Sequence, residues 1–497
     1  MCVYIYIYPT LKEENHQFIE SKKMANEDPI KILLVSFPFQ GHLNHLVGLG
    51  KSLAARGASI IFTTTETAGK NMRIANNIVD NFAYPIGDGS ITFEFFDDGL
   101  PEGDHAAFKA VEHYSEIEVL GRQYISQLIK NHADSNKPFA CIINNYFFPW
   151  VCDVANEHNV PSVLSWTNSA AVFTTYYNYV HKLVPFPTNE EPYIDVELIP
   201  SIVLKYNEIS NLIHPYCAHP FIGKLVLEEF KDLSKVFCVF MDTYEELEKD
   251  FIDYISSKSI PVRTVGPSFK NPDAEGASKI RGDFNKTNDH DEIVEWLNTK
   301  PKGSVVYISF GTLGTHSQEQ MDEIAHGILN SQVTFLWALN KPEGLPNGFL
   351  EETNERGKVV KWCLQVEVLA HPSVACFVTH CGWNSSMEAV SSGVPVVTFP
   401  SRADQLTNAK FLVDVYGIGI KMGCGWAVDN KLVTRDVVKK CLLEATIGEK
   451  AEKLKQNAIK WKKKAEEAVA VGGSSHRNLD EFMEDIKKHA SLINHNK

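Results

Sequence analysis

The sequence predicts an α/β protein built as two similar halves, each a parallel sheet wrapped by helices. Short apolar runs of buried-strand character alternate with helical stretches along most of the chain, the pattern of strands joined by crossover helices. At 497 residues the chain exceeds the size at which a single core keeps growing, so two domains are the default. The alternation breaks once, between Gly266 and Asp291, in a stretch rich in Pro, Asn, Asp, Gly and Lys that has neither period.

Residues 1–28 precede the first strand. Met1–Tyr8 is apolar but short and lacks a basic flank, unlike a secretory leader. Met24-Ala-Asn-Glu-Asp-Pro-Ile-Lys reads like a natural start, so 1–28 are expected to form a disordered extension. The first half, 29–265, opens with the strand Lys31–Phe37. A Pro/Gly loop leads into a helix with Leu43, Leu46, Leu49 and Leu53 on one face, closed by Gly57. Ala58–Thr63, Phe139–Asn144 and Pro161–Ser165 are further strands of that sheet. After the linker, 266–290, the second half (291–475) carries Ser304–Phe310, Phe335–Leu339, Lys358–Lys361, Ala375–Thr379 and Pro395–Phe399 as strands. The helices from Glu449 onward are amphipathic and lysine-rich without a chemical motif; they read as packing and a solvated tail, with 476–497 as the terminal helix. In such sheets ligands bind beyond the carboxyl ends of the strands. Two halves can therefore each hold one substrate and react them in the cleft between.

Composition excludes several classes. A hydrophobic content of 44% and a charged content of 22% are those of an ordinary globular protein. A net charge of −14 argues against a nucleic-acid partner. Ten cysteines are scattered with no CxxC pair, which suits reduced thiols in a cytoplasmic protein and neither a disulfide scaffold nor zinc. No segment approaches the roughly 20 apolar residues of a membrane span, so no membrane insertion is expected. Gly48-Leu-Gly50-Lys51-Ser52 imitates the end of a P-loop, but His45 stands where the first glycine belongs and the residues fall mid-helix. No Gly-x-Gly-x-x-Gly opens a helix after a strand. The chain reads as a monomer.

The second half carries the densest chemistry. Trp362-Cys363-Leu-Gln365 is followed by His380-Cys-Gly-Trp383-Asn384-Ser385 and then by Asp404-Gln405. The strand ending before His380 turns through Gly382 into a helix beginning near Asn384. Helix amino termini carry unpaired N–H groups and a partial positive charge, so they bind phosphate. His380, Asn384 and Ser385 add side-chain donors. Ser385-Ser-Met-Glu388 also fits a capping box, in which Glu388 bonds only backbone. Trp362, at a strand end, suits stacking on a base or ordinary core packing. No Asp-x-Asp metal clamp lies near, so metal-independent chemistry is expected.

Over its whole length, Trp362 to Gln405, the block resembles the signature of plant family 1 UDP-glycosyltransferases. The resemblance implies a GT-B-like pair of Rossmann-like domains facing across a cleft, the first binding an acceptor and the second UDP-glucose as co-substrate, with no further cofactor. It places Cys363 in the UDP-sugar site, Trp362 by the base, and Gln365 and Glu388 at the ribose. Trp383, Asp404, Gln405 and, from the first half, Thr167 fall at the sugar hydroxyls, and Gly311-Thr312 makes a second phosphate contact. A terminal Gln in this block usually accompanies glucose.

In the first half, His42 follows the first strand and can face the cleft as a general base. A lone histidine is more often structural. His45 could pair with it around a metal, though no third ligand is evident; the family commonly has proline there. The family often carries an aspartate bonded to the histidine base, and alignment through Asp153 and Trp166-Thr167 puts Asn145 at that position. An amide can orient imidazole but cannot balance its positive charge. A phenol with a pKa of about 10 needs the base, whereas a carboxylic acid at about 4 is already ionised. Ile142–Val151, Val184–Pro187 and Val265–Phe269 resemble the subgroup that makes glucose esters of hydroxycinnamic and hydroxybenzoic acids and shares the Asn-Asn pair. Phe39, Gln40, Phe147 and Phe148 are candidates for an acceptor wall or for ordinary core. Arg402 replaces a usual aromatic residue and would clamp an acceptor carboxylate or other anion, face solvent, or pair with Asp404.

The expected reaction is inverting transfer of glucose to an aromatic carboxylate, giving a 1-O-β-glucose ester. Its alternatives are O-glucosylation of a phenolic or terpenoid hydroxyl, and nucleotide-sugar binding without turnover.

Overall fold

The computed structural model describes residues 29–100, 107–270, 280, 290–311, 316–424 and 431–495. The expected extension 1–28, most of the linker 266–290, and Thr312 lie outside the described residues. The strands in chain order are β1 (Lys31–Val35), β2 (Ser59–Thr65), β3 (Tyr84–Ile86), β4 (Gly89–Phe96), β5 (Phe139–Asn145), β6 (Ser162–Trp166), β7 (Val196–Ile199), β8 (Ile202–Leu204), β9 (Cys238–Met241), β10 (Val262–Thr264), β11 (Val305–Ser309), β12 (Thr334–Ala338), β13 (Gly357–Val360), β14 (Val374–Thr379), β15 (Val396–Thr398) and β16 (Gly419–Lys421). The first sheet runs β10-β9-β6-β5-β1-β2-β4-β3 and the second β13-β12-β11-β14-β15-β16, while β7 and β8 pair as a separate hairpin. Apart from the antiparallel β3–β4 edge, neighbours in both large sheets are parallel.

Parallel strands covered by helices on both faces must be apolar throughout, which is why Ile32–Val35 are all 0% exposed. The helix Gln40–Ala55 crosses from β1 to β2 with Leu43, Leu46, Leu49 and Leu53 buried. Gly57 closes it at φ +88°, a left-handed conformation that glycine adopts without a Cβ penalty. The P-loop imitation is packing: a Cβ on Gly50 would lie 2.8 Å from Leu34 Cδ1.

The strand orders locate the site. In the first sheet the chain leaves β1 outward through β2, then restarts on the other side at β5. In the second it does the same from β11 to β12 and restarts at β14. Each reversal leaves a crevice beyond the strand ends. His42 and Asn145 border the first crevice; Gly311 and His380 border the second.

The terminal helix Ser474–His495 is more than a solvated tail. Leu479, Phe482, Met483 and Ile486 are buried in the core formed by β1, β2 and the helix Gln40–Ala55. Arg263 reaches Asp485 at 2.6 Å, and Asn478 Nδ2 donates to Thr264 O at 2.9 Å. The chain's end thus returns to its first half. Among the described residues no helix is long and apolar enough to cross a membrane.

Candidate active site

On the second half, β14 ends at Thr379 and the chain turns through Cys381, at φ +65°, into the helix Trp383–Ser392. That helix has Gly382 as N-cap and no side-chain cap, so the alternative of a capping box from Ser385 to Glu388 is not formed. Glu388 instead accepts from Gln365 Nε2, which also donates to Ser385 Oγ at 2.8 Å. Tyr307 OH donates to Gln365 Oε1 at 3.1 Å and lies 3.3 Å from Cys363 Sγ. Cys363 is therefore buried behind the cluster, and Trp362 beside it is half-buried. His380 is held between two glycines: a Cβ on either Gly311 or Gly382 would lie 2.6 Å from its Nε2. Burial first, then the charge of Arg402 and the neighbouring His316, lower its pKa to about 4. A neutral imidazole with a buried, unpartnered Nδ1 results.

Asp404 is half-buried and accepts from Trp383 N at 3.2 Å and from Asn408 Nδ2 at 2.7 Å. Burial raises its pKa to about 6 despite those bonds. Second to burial, the guanidinium of Arg402 bears on His380 and His316, lowering the pKa of both. Gln405 Oε1 accepts from Ser401 N at 3.0 Å and from Arg402 N at 3.1 Å, fixing the loop before its own helix.

On the first half, His42 is 7% exposed and ringed by Phe37, Phe39, Tyr146 and Phe147, with centroids 6.1, 6.0, 5.1 and 5.2 Å away. Burial, with a smaller push from His45, drops its pKa to about 3, and its Nδ1 has no partner. The expectation that Asn145 orients the imidazole is corrected here. Asn145 Oδ1 accepts from Ser36 Oγ and Phe37 N, both at 3.0 Å, and its Nδ2 is buried without a partner. The amide secures the loop after β1 and leaves the histidine alone. Phe148, at 0% exposure, packs on Phe37 and Trp150 in the core, so it is not part of a wall; Phe39, Gln40 and Phe147 remain beside His42. A metal shared by His42 and His45 is also set aside, because His45 spends both nitrogens on Ser165, Ser268 and Asp242.

The two halves meet at these residues. Asn384 Nδ2 donates to Gly41 O at 2.9 Å, one residue before His42. Trp383 Nε1 donates to Asp242 O at 2.7 Å. These two donors, on side chains expected to face a ligand, join the halves at the helix start. Asn168, which follows Thr167, satisfies its neighbours with its amide nitrogen toward Asp404 Oδ2 (3.2 Å) and its oxygen accepting from Tyr146 OH (3.0 Å). Tyr146 in turn packs against His42, its ring tilted by 50°. Tyr146, Asn168 and Asp242 carried no sequence signal beyond lying next to Asn145, Thr167 and the end of an apolar run. Among the described residues no group of three or more His, Cys, Asp or Glu could hold a metal ion.

The family model described as UDP-glucoronosyl and UDP-glucosyl transferase matches residues 110–458. A gallate 1-beta-glucosyltransferase of Punica granatum is 49% identical over 482 residues, covering 95% of this chain and 92% of its own length. A limonoid UDP-glucosyltransferase of Citrus unshiu is 47% identical, covering 94% of this chain and 91% of its own. The crystal structure of Os79 from O. sativa in complex with UDP superposes with a TM-score of 0.79 at 25% identity, covering 92% of this chain and all (100%) of that one.

Proposed function

Because the chain belongs to the family of UDP-glucoronosyl and UDP-glucosyl transferases, we propose that it moves glucose from UDP-glucose to the ionised carboxyl group of a small aromatic acid, forming a 1-O-β-glucose ester with inversion. The observation that carries the carboxylate is His42: a neutral imidazole of pKa about 3 with no acidic partner. Taking a proton from a phenol would be uphill by about 7 units, or about 10 kcal/mol. A carboxylate asks for no base.

In this reading Trp362 stacks on the uracil and Glu388 with Gln365 holds the ribose. His380 and the uncapped start of the helix Trp383–Ser392 face the diphosphate, where charge builds as the sugar leaves. Asp404, Gln405 and Thr167 hold the glucose hydroxyls. The acceptor lies on Phe39 and Phe147, and the single N–H of neutral His42 holds one carboxylate oxygen. The other oxygen attacks C1 from the face opposite UDP; the C1–O bond to the β-phosphate breaks and its electron pair leaves with UDP. Arg402, close to His380 and His316, adds positive potential on the phosphate side. The gallate relative supports an aromatic acid. The relative named for limonoids favours the second reading, transfer to a terpenoid or phenolic hydroxyl. We take the protein to act as a cytoplasmic monomer on these two small molecules.

The test is product chemistry. Aromatic acids and phenols are incubated with UDP-glucose, and the products are treated with mild alkali. Esters release glucose; a glucoside that survives alkali contradicts the proposal.

A further inference from the structure

His45 stands where the family commonly has proline, and it sits in a fully paired buried cluster. At 3% exposure, its Nδ1 lies 2.9 Å from Asp242 Oδ2 and 3.2 Å from Ser268 Oγ, and its Nε2 lies 2.9 Å from Ser165 Oγ. Asp242, also 3% exposed, accepts from Ser268 N through Oδ1 at 3.1 Å. Burial pushes the Asp242 carboxyl up, but His45 and Ser268 more than reverse this, so it stays below its ordinary range. The cluster ties four segments: the helix bearing His42, the end of β6 leading to Thr167 and Asn168, the end of β9, and the turn at Ser268. Proline can supply none of these bonds.

The main chain of Asp242 continues the connection into the second half. Its carbonyl holds the Trp383 indole at 2.7 Å, and Trp383 N is bound in turn by Asp404. We infer that His45 is a positioning residue: through Asp242 it fixes Trp383, and with it the helix start and the sugar-side carboxylate, relative to His42 one turn earlier on its own helix. This rests on the reading of the second half as the UDP-glucose site. Displacements of about 1 Å in such a frame cost up to about a hundredfold in rate.

The experiment is a mutant cycle on the full chain. His45→Leu removes both ring nitrogens, His45→Asn keeps a donor near the position of Nδ1, and Trp383→Phe keeps the ring without its N–H. His45→Leu is expected to raise KM for UDP-glucose and the calorimetric Kd for UDP about tenfold, with acceptor KM within about twofold. His45→Asn returns both to within about threefold, and Trp383→Phe adds at most about twofold in the His45→Leu background, because the two act on one connection. Unchanged donor KM in folded His45→Leu, or effects that multiply in the double variant, overturns the inference. If His45→Leu does not fold, Asp242→Asn, which is isosteric and keeps the Ser268 N bond, takes its place with the same expected shifts and the same overturning results. Failure of the wild type to bind UDP would defeat the donor-site reading itself; a wild type that binds UDP beside variants that match it defeats only the role of His45.

Discussion

Replacing Asn145 by aspartate should convert part of the acceptor preference from acids to phenols. The change is isosteric. One carboxylate oxygen keeps the bonds now made by Asn145 Oδ1 to Ser36 Oγ and Phe37 N, each 3.0 Å. The other replaces a buried Nδ2 that has no partner, and the Nδ1 of His42 is likewise buried and unpartnered. A carboxylate near an imidazole raises its pKa by about 1–3 units, taking His42 from about 3 to about 4–6. Proton transfer from a phenol then improves by about 1.4–4 kcal/mol. Because only part of that transfer is felt in the transition state, kcat/KM for a phenol should rise about 10–100-fold. A carboxylate acceptor meets a new negative charge and should lose up to about tenfold in KM. The assay is competition between a benzoic acid and a phenol lacking a carboxyl, with product ratios read by mass spectrometry. A ratio that does not move, in a variant that melts like the wild type, refutes the reasoning about His42.

Three further outcomes follow from the same geometry. Asp404, raised to about 6 by burial, binds sugar hydroxyls best when ionised, so KM for UDP-glucose should climb as pH falls below about 6; Asp404→Asn should abolish that dependence and raise KM about 10–100-fold at neutral pH. Gly382→Ala puts a Cβ 2.6 Å from His380 Nε2 and should weaken UDP binding about tenfold by calorimetry, with a loss of stability of about 1–3 kcal/mol. Glu248, buried and accepting from Ala170 N and Ala171 N, is raised by burial from 4.5 to about 7. The folded state therefore binds its proton more tightly than the unfolded state, so stability falls as pH rises from about 4.5 to about 7, by about 3 kcal/mol; Glu248→Gln should flatten that part of a denaturation–pH series.

The central strands were legible because burial on both faces forces continuous apolar runs, as in Ile32–Val35 and Ala375–Thr379. The strand Gly89–Phe96 was not singled out: Ser-Ile-Thr-Phe-Glu-Phe-Phe alternates, and only its inward residues Ile91, Phe93 and Phe96 are buried in full. The amphipathic pattern of Ser474–His495 showed that one face needs cover, yet a pattern names no partner, and the partner is the first sheet. At the site, the spacing from Trp362 to Gln405 revealed which residues gather but not which atoms they spend. Trp383 and Asn384 use their side chains to join the halves, a choice settled by Asp242 and Gly41 far along the chain. The identity of Asn145 was readable while its orientation was not, because that depends on two donors from the loop after β1. The meaning of His45 was hidden for the same reason: its bonds go to Asp242, Ser268 and Ser165, far along the chain.

The most direct measurement of whether this site glucosylates an anion without a base is the pH dependence of kcat for a benzoic acid at saturating UDP-glucose, where Asp404 is already engaged. With His42 at about 3 and the acceptor at about 4, kcat should stay level from about pH 5.5 to 8 and fall only toward the acceptor's own pKa. A limb with its midpoint near 6.5 that disappears when His42 is replaced would contradict the account.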